Sequence, residues 1–336
     1  MTVLVCSKPG ELTVETRELP TRGQDEILIR IRRVGMCGTD YHIFQGTQPY
    51  LDYPRVFGHE LAGEVVAADE ATGFAPGQVV CIMPYLFCGQ CVACRRGKTN
   101  CCRNIAVLGV HKDGGLAEFL SIDTRYVLDA AALSLDEAAM VEFLAIGHHA
   151  VMRGKVSKGQ RVLVVGAGPI GLAVTQFAAE RGAEVTVLDG KPDRAAFAVE
   201  HMGAARAVQP TETLAELLSE ISDQDYFDVV FDATGNARAM SAGFAYVAHG
   251  GSYVLVSIVG ADISFNDPEF HKRETTLLGS RNATIADFEA VISAIRLGRV
   301  PVQALHTHSA SLGDLPARLE EWMRADSGVI KAIVEV

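Results

Sequence analysis

The sequence predicts an α/β protein of two parts, one built from short antiparallel strands and one from a doubly wound parallel sheet. Three observations carry that prediction. Period-two alternation such as Glu26-Ile27-Leu28-Ile29-Arg30-Ile31-Arg32 runs through the first part of the chain. From about residue 145 apolar strands alternate with helical runs, which is how a parallel sheet covered on both faces reads. The chain has 336 residues, enough for two domains at roughly 100–200 residues each.

Composition narrows the function classes. Hydrophobic residues make up 49% of the chain and charged ones 21%, ordinary values for a soluble globular protein. A formal charge of −11 argues against a nucleic-acid surface and against an anionic membrane as partner. Two long uncharged runs, Val162–Ala179 and Ala239–Ala261, are interrupted by Gly166, Gly168, Pro169 and Gly171 and by His249-Gly250-Gly251-Ser252, so each reads as strand, turn and helix and not as a membrane span. No basic segment followed by an apolar core opens the chain, and the expectation is a soluble, cytoplasmic protein.

In chain order, the alternating strands continue through Gly63–Val66 and Gly77–Cys81, punctuated by Pro and Gly, and an antiparallel barrel is expected there. Within them lie Gly35-Met36-Cys37-Gly38-Thr39-Asp40 and Gly58-His59-Glu60. A thiol and an imidazole 22 residues apart are the ligand types zinc prefers, and a catalytic zinc needs three protein ligands and an open position. On residue types alone, Cys37 and His59 fit a buried thiol and an unrelated surface histidine equally well.

Six of the eight cysteines fall between positions 81 and 102, a density that points to metal ligation in a reducing compartment. Cys88, Cys91, Cys94 and Cys102 can close a tetrahedron around one zinc with no open position, a structural site within a lobe spanning residues 86–103. Cys101, beside Cys102, leaves the fourth ligand ambiguous; Cys6 and Cys81 read as ordinary buried thiols.

The strand Arg161–Val165 runs into Gly166-Ala167-Gly168-Pro169-Ile170-Gly171 and a helical run from Leu172 to Arg181. Such glycines give a tight turn, let a pyrophosphate approach the backbone, and let helix pack on strand. The helix N-terminus then offers unpaired N–H groups to phosphate. A second strand, Glu184–Leu188, ends at Asp189, eighteen residues past the last glycine, where a carboxylate accepts both ribose hydroxyls of NAD and repels a 2′-phosphate. Lys191 and Arg194 follow closely, which leaves NADP open although NAD is favoured; Arg194 is counted among the cofactor contacts. Further strands are Phe227–Asp232, Ser252–Ile258 and Thr275–Ser280, and ligands bind beyond the carboxyl ends of such strands. Thr234, Ile258, Val259, Arg281 and Asn282 are therefore candidate neighbours of the nicotinamide. A helical run to about Gly298 and a final strand Val329–Val334 complete the chain.

These pieces together resemble the zinc-containing medium-chain dehydrogenases over essentially the whole length. The resemblance implies a GroES-like β-barrel catalytic domain from residues 1–144 and 284–336, with a Rossmann NAD-binding domain, 145–283, inserted. It also nominates Glu142, in Val141-Glu142-Phe143-Leu144-Ala145, as the third catalytic zinc ligand, matching the glutamate of the sorbitol and threonine dehydrogenase branches; Phe143 stands where those branches usually have proline. Glu60 would be an exchanging fourth ligand or a carboxylate behind the ligands. Thr39 and His42 match a proton relay that runs through the cofactor ribose to a surface imidazole.

The chain is most similar to the L-galactonate and L-gulonate 5-dehydrogenase branch, through Tyr53–Glu60, Thr99–Cys102, Val107–Gly115, Asp267–Thr275 and Gly279–Thr284. The resemblance implies oxidation of a secondary alcohol on a sugar acid at C5, giving a keto-uronate, with two zincs per chain and NAD lying across the crevice between domains. A sugar acid's carboxylate needs a cation. Arg281 is the first candidate, with His111 and Lys272 behind it, since a planar guanidinium suits a bidentate carboxylate. Competing readings are a sorbitol or other polyol dehydrogenase, an L-threonine 3-dehydrogenase, and a nicotinamide-binding module without turnover. Exposed edge strands of the dinucleotide sheet are the pairing surface expected of a homo-dimer or homo-tetramer.

Overall fold

The alternation read in Glu26–Arg32 becomes a strand, Glu26–Gly35, that runs past the end of the alternating segment to the edge of the Cys37 loop. In the computed structural model, which describes residues 1–49 and 51–336, the chain divides into two units: Met1–Glu142 with Thr284–Val336, and Phe143–Ala283.

In the first unit, Glu26–Gly35 is the hub of a seven-stranded sheet. It pairs antiparallel with Glu60–Ala67, with Phe119–Asp123 and with the C-terminal strand Lys331–Glu335. Gly35 sits opposite Glu60 on one side and Ile333 on the other, so the C-terminal strand is laid directly beside the Cys37 loop. One pairing departs from the antiparallel pattern. His306–Ser311 runs parallel to Lys331–Glu335, a connection that needs a crossover, and the helix Leu315–Trp322 supplies it. Ile27, Ile29 and Ile31 are fully buried, which is the inward set of the period-two pattern, and Val34 is buried beyond the register shift between Ile31 and Arg33.

The second unit holds a six-stranded sheet, all parallel, in the order Arg206–Val208, Glu184–Leu188, Arg161–Val165, Phe227–Asp232, Val247–Leu255, Thr276–Gly279. Numbered along the chain this is 3-2-1-4-5-6, the doubly wound dinucleotide-binding order whose strand order reverses beside Arg161–Val165. The central strands are buried on both faces, and Leu163, Val165, Leu188, Phe227, Val230 and Tyr253 pack into one apolar cluster. The short strand Arg206–Val208 has no apolar run of its own and escaped the pattern reading. Among the described residues no helix is long and apolar enough to cross a membrane.

Candidate active site

Cys37 is the N-cap of the helix Gly38–Gln45, entered straight from the strand Glu26–Gly35. The helix's third residue, Asp40, is fully buried and ties the site together. Its Oδ2 accepts the Cys37 N–H at 2.9 Å, as an N-terminal acid does for an unpaired helix donor, and its Oδ1 accepts the Gly58 N–H at 3.2 Å. One carboxylate thus joins the loop bearing Cys37 to the loop bearing His59. Gly58 itself has φ 91, and a Cβ there would meet Val34 at 2.8 Å, so the turn into His59 needs glycine.

Ligand atoms of Cys37, His59 and Glu60 lie within 4.8 Å of one another. His59 is buried, with Nδ1 3.5 Å from Asp40 Oδ1 and no hydrogen-bond partner for that nitrogen among the described residues. Burial disfavours its charged form, but the negative charges of Asp40 and Cys37 override that and hold the imidazole well above its ordinary pKa. Sulfur, nitrogen and oxygen atoms gathered this closely are zinc's donor set.

Glu142 lies outside that three-atom cluster. It is the second residue of the helix Val141–Arg153 and is buried; its Oε1 accepts the Tyr85 hydroxyl, while Oε2 is buried with no partner among the described residues. Burial pushes its carboxyl up to about 7, against the opposing charge of His59. A carboxylate with one oxygen anchored and the other buried and unpartnered beside an imidazole fits a metal ligand. Glu60 is differently engaged: Lys331 Nζ stands 2.7 Å from both its oxygens. Thr39 lies on the first turn of Gly38–Gln45, and His42, three residues on, is exposed with Nδ1 3.0 Å from Thr47 Oγ1.

The four-cysteine lobe also closes up. Cys91 and Cys94 sulfurs are 3.5 Å apart, Cys91 and Cys102 4.0 Å, and Cys88 and Cys102 3.5 Å. A tetrahedron with zinc–sulfur bonds of about 2.3 Å has edges of about 3.8 Å, so the spacing fits zinc. Backbone N–H groups of Cys94 and Arg103 hold the Cys91 thiol down at about 6, whereas desolvation and the neighbouring sulfurs push Cys94 up to about 12, the repulsion a bound cation relieves. Cys101 is exposed and outside the cluster.

In the second unit, Gly166 has φ 96, and a Cβ at Gly171 would stand 1.8 Å from Gly166 O, so neither position admits another residue easily. Gly168 caps the helix Pro169–Glu180, with Pro169 and Ile170 half-buried in its first turn. A Cβ on Gly168 would meet only Arg194 Nη1, at 3.8 Å, among the described residues: the turn is open on the side a pyrophosphate would take. Asp189 is fixed at its strand end, accepting the Ala167 N–H at 2.6 Å and the Lys191 N–H at 2.7 Å. At the next strand end, Thr234 donates its N–H and hydroxyl to the buried Asp232 at 3.0 and 2.8 Å. Ile258 and Arg281 are exposed at the carboxyl ends of the following strands.

The other candidate substrate contacts are locally committed. His111 Nδ1 accepts the Val107 N–H at 3.1 Å, closing its own turn, and Lys272 is an exposed helix-end residue 3.7 Å from Glu269. Sequence reasoning missed Asp40 as a link between loops, and it missed Tyr85, Lys331 and Tyr41, whose buried hydroxyl has no partner among the described residues. Only Asp40 carried a signal, as an acid three residues past a helix N-cap.

Two family models match the chain, the alcohol dehydrogenase GroES-like domain over residues 23–132 and zinc-binding dehydrogenase over residues 169–296. The chain is 40% identical to L-galactonate-5-dehydrogenase of Escherichia coli strain K12, covering 99% of this chain and 98% of that protein. It is 31% identical to a sorbitol dehydrogenase of Halalkalibacterium halodurans, covering 91% and 90%. Among solved structures, a short chain alcohol dehydrogenase from E. coli CFT073 complexed with NADH superposes with a TM-score of 0.94 at 28% identity, covering 100% of this chain and 99% of that one. The sheet order, the clustered thiols and these likenesses agree: the chain belongs to the zinc-type medium-chain dehydrogenases, enzymes that act on CH–OH groups.

Proposed function

We propose that this enzyme oxidises a secondary alcohol on a sugar acid of the L-galactonate or L-gulonate type, at C5, with NAD as acceptor. The observation that carries the reading is a Cys37–His59 pair with a partnerless Glu142 oxygen beside it, in a chain 40% identical over 99% of its length to an L-galactonate-5-dehydrogenase. Cys37, His59 and Glu142 would hold a catalytic zinc, and Cys88, Cys91, Cys94 and Cys102 a structural one, two ions per chain. The catalytic zinc supplies Lewis acidity toward the substrate hydroxyl. The thiolate sites call for a reducing compartment, the cytoplasm.

The reaction moves a hydride to the nicotinamide and releases one proton, so the protein must give that proton a way out. Thr39 and His42 stand one helical turn apart on the helix Gly38–Gln45 and serve that purpose. His42 is exposed, with Nδ1 3.0 Å from Thr47 Oγ1, and an exposed imidazole can hand protons to solvent. For the cofactor, the Gly166–Gly171 turn and the N-terminus of Pro169–Glu180 would take the pyrophosphate, with Arg194 over Gly168. Asp189 would accept the ribose hydroxyls, which favours NAD over NADP. Thr234 and Ile258 would flank the nicotinamide, and Arg281 would meet the substrate carboxylate, ahead of His111 and Lys272. The exposed edge strand Thr276–Gly279 would pair copies into a homo-oligomer.

Initial rates with NAD and NADP on L-galactonate, L-gulonate, sorbitol and L-threonine test the reading. A preference for a hexonate of at least about 10-fold in kcat/KM, or about 1.4 kcal/mol of discrimination, is expected. The second reading, a polyol dehydrogenase, rests on the 31% identity to sorbitol dehydrogenase, and a preference for sorbitol would establish it instead.

A further inference from the structure

Lys331 is among the most deeply buried charged side chains described, 1% exposed on a C-terminal strand 271 residues from its partner. Its ammonium stands 2.7 Å from each Glu60 oxygen and 3.1 Å from the Met36 carbonyl. A buried ion pair adds little to stability compared with well-packed apolar residues, so its presence beside a candidate metal site needs another explanation. Strand register provides the geometry. Gly35 lies between Ile333 and Glu60, and a Cβ on Gly35 would come within 2.2 Å of Glu60 Oε2. The carboxylate therefore lies in the space a side chain at position 35 would fill, with Lys331 Nζ against both its oxygens. From there a Glu60 oxygen still lies within 4.8 Å of the Cys37 and His59 ligand atoms.

We propose that Lys331 is a positioning residue that restrains Glu60 from ligating the catalytic metal, keeping one coordination position free for substrate while Glu142 serves as the third ligand. The proposal rests on the zinc reading above. Without Lys331, a buried carboxylate stripped of its counter-charge turns to the nearest cation, which is the metal, and blocks the open position.

The test uses the full chain loaded with cobalt(II), the difference spectrum against Cys37→Ser isolating the catalytic site. Imidazole is the probe, titrated at about pH 8.5, where the free ring is neutral and local charge biases its binding little. The parent should bind imidazole at the cobalt with a shift of the Cys37-dependent bands, and Lys331→Met should weaken that binding roughly 10-fold or more, the scale of changes behind metal ligands. Lys331→Met combined with Glu60→Gln should regain parental affinity, and Lys331→Arg should remain near it. Glu60→Gln alone should leave the affinity within about 3-fold, because a restrained carboxylate does not compete; this arm decides the matter even if Lys331→Met does not fold. Unchanged imidazole binding in Lys331→Met, or a 10-fold gain in Glu60→Gln alone, overturns the proposal. A parent with no Cys37-dependent cobalt bands overturns the metal reading itself, a distinguishable failure.

Discussion

Gly168 and Gly171, three residues apart in one turn, should respond to alanine in opposite ways. Gly168 has φ −71 and ψ 176, a backbone any residue adopts, and a Cβ there finds only Arg194 Nη1 at 3.8 Å among the described residues. Gly168→Ala therefore removes conformational freedom from the unfolded chain without strain, worth roughly 0.4–1 kcal/mol of added stability. In an apoprotein of this size that raises Tm by only about 0.5–1.5 °C. On the proposed cofactor site, the same methyl would fill the space through which a pyrophosphate would reach the backbone N–H groups. Losing one hydrogen bond to a charged group costs about 1.5–3 kcal/mol, so NADH affinity should fall roughly 10- to 150-fold. Gly171→Ala differs because its Cβ would stand 1.8 Å from Gly166 O, and relieving that contact requires the turn to move by more than an ångström. Overpacking of this kind costs about 1–3 kcal/mol or more, so Tm should drop along with affinity. Differential scanning calorimetry of the apo forms and NADH fluorescence titration read the two quantities separately. A Gly168→Ala protein that is destabilised, or that binds NADH as the parent does, refutes the assignment of this turn as the phosphate cradle.

The remaining predictions concern substrate, metal and pH. Arg281→Ala should raise KM for a hexonate roughly 10- to 100-fold, the loss of a charge-assisted hydrogen bond, and change KM for an uncharged polyol less than about 3-fold; equal losses on both remove Arg281 from carboxylate recognition. Elemental analysis should find about two zincs per chain, falling to about one in Cys37→Ser and to about one in Cys94→Ser, with the larger loss of Tm in the latter because a closed thiolate site contributes folding energy. Asp232 has its pKa raised by burial, opposed in part by the Thr234 and Ser257 hydrogen bonds. A raised native pKa means the native state binds the extra proton, so this group's stabilisation is complete below the ordinary value of 3.8 and is lost as pH rises through the raised one. The slope of apo Tm against pH just above pH 3.8 should therefore be more positive in Asp232→Asn than in the parent; an unchanged slope contradicts the assignment.

The parts of this fold that show in the sequence are those built from local pattern. Buried parallel strands read as apolar runs because both their faces are covered, and Arg161–Val165 and Phe227–Asp232, the latter despite Asp228, could be placed on that ground. Arg206–Val208 could not, because a three-residue strand is too short to show a period and is held in the sheet by its neighbour Glu184–Leu188. The parallel partner His306–Ser311 alternates polar residues on a half-exposed edge, which leaves no apolar signal. In the candidate site, the thiols and imidazole stand out by residue type and by the glycines around them. What holds them does not, since it arrives from elsewhere in the chain.

Tyr85 reaches Glu142 from 57 residues away, and Lys331 reaches Glu60 across 271. Neither carries a motif, and each would read alone as an ordinary surface-capable residue on a short strand. Burial changes what they are. A lysine in water is a solvated charge, whereas one sealed between strands must find a carboxylate, and it thereby decides which way that carboxylate faces. The antiparallel register Ile333–Gly35–Glu60 forces the meeting, so the last strand of the chain acts on the site through pairing order and not through proximity in sequence. The two carboxylates are thus sorted by their neighbours: Glu60 has an ammonium on both oxygens, and Glu142 is anchored through one oxygen with the other buried and without a partner among the described residues. That division of labour follows from strand order and one glycine, and it makes position 35 as diagnostic as the ligands. Gly35→Ala would drive a methyl into Glu60 Oε2, and cobalt at the Cys37 site should then lose its affinity for imidazole although every ligand and Lys331 are intact.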